Sequence, residues 1–237
     1  MSQGFWKRGI EIVDGFLSAE ECDQFLASVD VYRGSHELPI IHRDVAGRSL
    51  HYFVIDGHRV HDALPQLPDL RRKVEGILGN ICGRPLEPIA DTIAAINVNI
   101  VPPGGEYCWH YDRNAVTALV YLNEVPGGET ELYPNYRFLL GSADQSPVQR
   151  GLDWLLRQPP VMKTFGRLTV FTPKKGSLLV MAGNRTLHSV RRVRGDRDRI
   201  NAVMAYDAPR TTRTRPTLNK YLYTADEVPL PAADPPG

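Results

Sequence analysis

From Thr92 to Tyr206 the chain consists of short apolar runs cut by turn-forming clusters, and this spacing restricts the fold more than any other feature of its 237 residues. Val116–Leu122, Leu168–Thr172, Ser177–Ala182 and Arg199–Tyr206 have the length and content of strands. Thr92–Val101 alternates, with Ile96, Val98 and Ile100 on one side and Asn97 and Asn99 on the other. Pro102-Pro103-Gly104-Gly105 and Pro126-Gly127-Gly128 are turns. Many short strands joined this way predict a closed or two-sheet antiparallel architecture, mainly β. The longest apolar runs, Ala115–Leu122 and Leu178–Ala182, fall far short of the roughly 20 residues of a membrane helix, so no membrane partner is expected.

Helices are expected to flank this core. Gly9–Leu17 reads as a strand, and Ser18 then caps a helix, with Glu21 three residues on completing a capping box. Phe25, Leu26 and Val29 supply the buried stripe of that helix. Residues 31–65 read as irregular apart from a strand at His51–Ile55, and a second helix is predicted over Leu67–Ile81, stopped by Gly83 and Pro85. Val148, Leu152 and Leu156 recur at helical spacing in Pro147–Leu156, a helix inserted between two strands. The tail from Asp207 is Pro-rich and weakly patterned. No linker divides the chain, which reads as a single domain over 1–237. Residues 1–91 act as N-terminal support and substrate lid, 92–206 as the core with an insertion near 135–165, and 207–237 as the tail.

Lys and Arg number 28 against 27 Asp and Glu, a net charge of +1, which argues against a globally basic nucleic-acid binder. Cys22, Cys82 and Cys108 have no zinc-like spacing and suggest no disulfide framework. With no apolar segment typical of a leader at the N-terminus, a cytoplasmic location is expected.

The central chemical signal is His110-Tyr111-Asp112 with a distant His188. Residues two apart on a strand share a side, so His110 and Asp112 can reach one metal ion together. Two imidazoles and one carboxylate leave three positions open, the facial triad of non-haem Fe(II) oxygenases. The motif H-x-D is weak alone, and His42-Arg43-Asp44 is a decoy of the same form. Asp56, His58, His61 and Asp62 are another cluster of ligand-like spacing. Neither has a strand-turn framework after it, and both read as solvated polar loops.

The segments "YCWHYDRNAVTALVYLNEVPGGETELYP", "PKKGSLLVMAGNRTLHSV" and "RINAVMAY" resemble the 2-oxoglutarate/Fe(II)-dependent dioxygenase superfamily, in its prolyl-hydroxylase-like branch. The resemblance spans about Ile96 to Tyr206 and implies a double-stranded β-helix, a jelly-roll of cupin-like form. It implies His110, Asp112 and His188 as ligands of Fe(II), with 2-oxoglutarate as co-substrate and O2 as oxidant. It places a basic residue eight to eleven positions after the distal His, where Arg197 and Arg199 both lie, and strand alignment favours Arg199 for the C5 carboxylate. Arg matches a carboxylate with its planar fork of donors. Tyr121 is implied to donate to the same carboxylate, and Thr117 and Asn99 are candidate neighbours of the co-substrate.

The implied reaction is hydroxylation, or another oxidation, of an unactivated C–H bond, with succinate and CO2 as co-products. Halogenation is disfavoured because Asp112 retains the carboxylate ligand. The small chain favours a small-molecule substrate such as an amino acid or natural-product intermediate. A protein or peptidyl hydroxylase, and a non-catalytic metal- or ligand-binding sensor, are the alternative readings. Substrate contacts are expected from Tyr107, Trp109, Arg113, residues 33–61 and the insertion. The arginines at 191, 192, 194, 197, 210, 213 and 215 read as a solvated face paired in part with Asp196 and Asp198, with nucleic acid an unlikely partner.

Overall fold

Alternation along the strands builds two faces, and each face is covered by a different part of the chain. The computed structural model describes residues 3–44, 49–140, 146–211 and 216–225. In chain order these form α1 (Gln3–Arg8), β1 (Ile10–Val13), α2 (Ala19–Ser35), β2 (Ile40–Arg43), β3 (Leu50–Ile55), α3 (Val60–Ala63) and α4 (Leu67–Cys82). Next come β4 (Glu87–Pro88), α5 (Thr92–Ala95), β5 (Ile96–Val101), β6 (Tyr107–His110), β7 (Val116–Tyr121) and β8 (Thr130–Tyr133). The chain continues through α6 (Pro147–Leu156), α7 (Pro159–Phe165), β9 (Thr169–Phe171), β10 (Leu178–Met181), β11 (Leu187–Val190), β12 (Arg199–Asp207) and α8 (Pro216–Tyr223).

The strands make an eight-stranded major sheet, in the order β1-β10-β7-β12-β5-β3-β2 with β4 paired to β12, and a minor sheet β6-β11-β8-β9. All the pairings are antiparallel. This is the mainly β, two-sheet antiparallel architecture that the strand spacing predicts, in the jelly-roll form that the family resemblance implies.

One face of the major sheet is sealed by helices. Ile96, Val98 and Ile100 of β5, Val116, Ala118 and Val120 of β7, and Ile200, Ala202 and Met204 of β12 share one core with Phe25 and Val29 of α2 and Leu70, Val74 and Leu78 of α4. The residues between them, including Asn97, Asn99, Thr117, Leu119, Arg199, Asn201 and Val203, line a cavity on the other face. Period two in the strands thus separates an apolar foundation from a polar interior.

Local signals act as their chemistry dictates. Ser18 Oγ accepts from Glu21 N at 3.1 Å, and Ser18 N donates to the Glu21 carboxylate at 2.9 Å, closing the capping box. Gly83 ends α4 at φ 62°, a left-handed conformation that favours glycine.

Several boundaries differ from expectation. Thr92–Ala95 is a helical turn, so the alternating strand begins at Ile96. Residues 31–35 continue α2, and β2 pairs with β3 in a stretch read as irregular. The tail is not featureless, because α8 lies against the cavity. No helix among the described residues is long and apolar enough to cross a membrane.

Candidate metal centre

β6 and β11 are neighbours in the minor sheet, with His110 directly opposite His188. That pairing brings residues 78 positions apart into contact, with ring centroids 4.0 Å apart. Each imidazole presents its Nδ1 to a backbone carbonyl two residues earlier, His110 to Cys108 at 2.8 Å and His188 to Thr186 at 3.0 Å. A proton on Nδ1 satisfies each contact and leaves both Nε2 atoms as lone-pair donors. Asp112 Oδ1 lies 3.6 Å from each Nε2. The three donor atoms fall within 4.8 Å of one another, a cluster that can hold one metal ion. Desolvation in the cleft, followed by the neighbouring His188, pushes the His110 pKa down to about 3, so the ring is neutral as a ligand must be.

The geometry refines two expectations. Asp112 lies beyond the end of β6 rather than on the strand, and its backbone N–H donates to Gly183 O at 3.1 Å. His188 sits within its own strand, β11, which the sequence reading did not separate from its surroundings. Thr117, expected beside the co-substrate, donates its hydroxyl to Asp112 Oδ2 at 2.5 Å and accepts from Asn114 at 2.9 Å. It therefore positions the carboxylate of the triad. Gly183 permits this close approach: a Cβ there would stand 2.7 Å from Thr117 Oγ1 and 3.0 Å from Asp112 Cβ.

The triad faces a cavity of about 260 Å³ lined from both sheets. Arg199 also lines this cavity and is only 2 % exposed. Its guanidinium donates to Gly128 O at 2.9 Å, Asn201 Oδ1 at 2.6 Å and Thr130 Oγ1 at 3.1 Å. All three acceptors are neutral, and Arg199 has no acidic partner among the described residues. Burial pulls its pKa below the ordinary arginine value, partly countered by Tyr121. Beside it, Asn201 Nδ2 is buried with no hydrogen-bond partner. Gly128, at φ 65°, gives the guanidinium stem its room, since a Cβ there would meet Arg199 Cδ at 2.8 Å.

Tyr121 is fully buried behind the cavity wall, its hydroxyl 2.8 Å from Thr130 Oγ1 and its ring centroid 5.1 Å from the Arg199 guanidinium carbon. Thr130 is a hydrogen-bond partner of both Tyr121 and Arg199 and is a residue the sequence reading passed over, whereas Asn201 was read as facing inward without a role. Strand parity was the available signal for Asn201, two positions after Arg199. Asn99 lines the cavity directly opposite Asn201 in register. Arg197 instead precedes β12, lies exposed, and among the described residues its side chain hydrogen-bonds Glu124 O alone, at 3.3 Å.

Tyr107, Trp109 and Arg113 all line the cavity. Tyr107 packs on His110 at 4.5 Å between ring centroids and on Tyr52 at 5.2 Å, and Trp109 packs on Tyr133 at 5.3 Å. Among the described residues of 33–61, Leu50 and Tyr52 reach the cavity, whereas Leu218, Tyr221, Leu222 and Tyr223 of α8 form much of its cover. The decoy pair His42 and Asp44 is exposed and 3.7 Å apart. Asp56 caps the His58 backbone at 2.8 Å, and His61 and Asp62 are exposed. In the arginine run, Arg191 pairs with Glu131 at 2.8 Å and Arg192 with Glu106 at 3.8 Å, while Asp198 is taken by Arg33 at 2.7 Å. For Arg191, Arg192 and Asp198 the expected pairing is thus replaced by partners from distant parts of the chain; Arg213 and Arg215 lie outside the described residues.

No protein-family model and no curated protein sequence matches the chain. Solved structures do. The non-haem α-ketoglutarate-dependent carbocyclase SnoK from nogalamycin biosynthesis superposes with a TM-score of 0.68 at 16% identity, over 87% of this chain and 82% of that one. The fold is that of the Fe(II)/2-oxoglutarate oxygenases. A prolyl hydroxylase from Trichoplax adhaerens, in complex with a hypoxia-inducible-factor peptide, shares this oxygenase fold with a TM-score of 0.61 at 17% identity, over 87% of each chain. The epimerase SnoN, in complex with Fe3+, α-ketoglutarate and nogalamycin RO, does so with a TM-score of 0.66 at 16% identity, over 87% of this chain and 82% of that one.

Proposed function

We propose that this protein is an Fe(II)- and 2-oxoglutarate-dependent oxygenase that oxidises an unactivated C–H bond of a small molecule, such as an amino acid or natural-product intermediate. One observation carries the reading: the cavity holding the His110, Asp112 and His188 donors also holds a buried guanidinium, Arg199, without a counter-ion among the described residues. A buried charge is costly unless paired, and a dicarboxylate co-substrate supplies the missing partner.

The residues present fit both groups. His110 and His188 offer Nε2, Asp112 offers a carboxylate oxygen, and this donor set suits Fe(II) with open positions. Arg199 can meet the distal carboxylate of 2-oxoglutarate, with the unpartnered Asn201 Nδ2 and the Thr130 hydroxyl beside it. Iron and 2-oxoglutarate, when bound with O2, supply the oxidising power and leave succinate and CO2. The chain's own part is positioning. Thr117 holds Asp112, the backbone carbonyls of Cys108 and Thr186 fix the imidazole tautomers, and Tyr121 and Thr130 hold Arg199 in place. Tyr107, Trp109 and Arg113 are assigned to substrate contact, and α8 limits entry of water.

The arginine clamp is also what weighs against a non-catalytic metal-binding sensor. The test is anaerobic addition of Fe(II) and then 2-oxoglutarate. A weak visible charge-transfer band is expected from the chelate, followed on admission of air by succinate. A protein that binds Fe(II) but gives no band with 2-oxoglutarate would sink the reading.

A further inference from the structure

The cavity has a second cationic end that the co-substrate does not use. Arg157, the C-cap residue of α6 in the insertion, lines the same cavity as the triad. Its Nε donates to the Asp153 carbonyl at 3.3 Å, and its terminal nitrogens have no hydrogen bond or ion pair among the described residues. The adjacent acid is already committed. Asp153 accepts from Arg137 Nε at 2.9 and 3.0 Å and Nη2 at 2.5 Å, and from Gln149 Nε2 at 2.8 Å. Both carboxylate oxygens are therefore engaged by other donors, and Arg157 forms no ion pair with Asp153.

Tyr111 completes this end of the cavity. Its ring centroid lies 5.0 Å from the Arg137 guanidinium carbon, and its hydroxyl is buried with no partner. Arg157 and Tyr111 line the same cavity as His110, Asp112 and His188, and Tyr111 stands between two of those residues in the chain. A guanidinium and a phenolic O–H can both donate, so the buried Tyr111 hydroxyl beside a cationic cavity wall suits an oxyanion acceptor. One guanidinium balances a monoanion. The cavity, about 260 Å³, is below the usual range of roughly 300–1,000 Å³ for ligand sites, which suits a small substrate.

We propose that Arg157 and Tyr111 read a carboxylate on the substrate and turn the rest of it toward the metal centre. The inference rests on the oxygenase reading above and adds the substrate class, a small monocarboxylic acid. It also assigns the inserted helix α6 its task, since the C-cap is what delivers Arg157 to the cavity.

The experiment uses full-length wild-type protein and the variants Arg157→Gln, Arg157→Lys and Tyr111→Phe, each loaded with Fe(II) and 2-oxoglutarate. The probes are free amino acids and aliphatic and aromatic monocarboxylates, each beside its carboxamide, with small phosphate monoesters as a separate arm. Succinate formed above the probe-free rate is measured, KM for probe and for 2-oxoglutarate are fitted separately, and circular dichroism checks that each variant folds. Acids should stimulate and their carboxamides should not. For the stimulating acid, Arg157→Gln should raise KM by about tenfold or more, Arg157→Lys should recover part of the loss, and Tyr111→Phe should raise it a few-fold. Equal stimulation by acid and carboxamide overturns the proposal. So do stimulation by phosphate monoesters alone, no stimulation by any acid at millimolar concentration, and a KM rise confined to 2-oxoglutarate. Failure of the oxygenase reading would look different: wild-type protein would show no charge-transfer band before any probe is added.

Discussion

Arg197 and Arg199 are two residues apart and chemically identical, yet their surroundings assign them opposite weights. Arg199 is buried against Gly128, Thr130 and Asn201, whereas Arg197 touches one carbonyl at the surface. Truncating one member of a buried charge pair costs about 3–5 kcal/mol, and an exposed pair is worth about 0–1 kcal/mol. At about 1.4 kcal/mol per factor of ten, Arg199→Ala should raise the 2-oxoglutarate KM by two orders of magnitude or more. Arg197→Ala should move it only a few-fold, and the reverse ranking at saturating Fe(II) and O2 would transfer the co-substrate role to Arg197. The same contrast separates the two H-x-D motifs. His110→Ala and His188→Ala should each abolish turnover with Fe(II) resupplied, because each removes one of three donor side chains. His42→Ala and Asp44→Ala, on an exposed strand end, should leave iron binding intact. Loss of iron in either of those two would move the metal centre to the decoy.

At the scale of elements, stability and access are divided between the two ends of the chain. α2 is fastened by its capping box, so Ser18→Ala should cost about 1 kcal/mol. In a chain of this size that lowers the melting temperature by roughly 2–4 °C without changing KM for 2-oxoglutarate. A larger KM effect would mean that α2 bears on the cavity despite packing on the opposite face of the major sheet. α8 is held differently. The Tyr52 hydroxyl donates to Leu222 O at 2.7 Å, and Asn219 donates to both oxygens of Asp91 at 2.8 Å. Tyr52→Phe removes the first tether and should speed amide exchange in 216–225 while exchange in β5, β7 and β12 stays slow. Uniform acceleration across those strands would show instead that Tyr52 supports the whole core.

For the whole molecule, His110 and His188 belong to the minor sheet and Arg199 to the major one, so a ligand reaching both ends of the cavity ties the two sheets together. Ligands that bind only the folded state stabilise it by mass action, about 2.7 kcal/mol at a hundredfold excess over Kd. Mn(II) with 2-oxoglutarate should therefore raise the melting temperature by roughly 5–10 °C. The rise should exceed that from Mn(II) alone and disappear in the His110→Ala protein. Equal stabilisation with and without 2-oxoglutarate would count against a co-substrate that spans the sheets.

Much of this arrangement was legible in the sequence because its causes are local. Strand parity places Ile96, Val98 and Ile100 under the helices and Asn97 and Asn99 in the cavity. The capping box and Gly83 set helix limits from neighbouring residues alone. The order of motifs around His110, Asp112, His188 and Arg199 pointed to the fold and to the triad. What required the tertiary structure was every feature set by strand pairing. His188 meets His110 only because β11 lies beside β6, Thr117 hydrogen-bonds Asp112, and Tyr121 and Arg199 share Thr130 as a partner. The partners of Arg191 and Arg192 are acids from other parts of the chain, too distant in sequence for charge patterning to pair. The weakly patterned tail becomes α8 by packing on Tyr52 and Asp91. Periodicity and caps act through atoms a few residues apart, so the amino-acid order determines them directly. Pairing across a cavity depends on which strands become neighbours, and that is decided only when the sheets assemble.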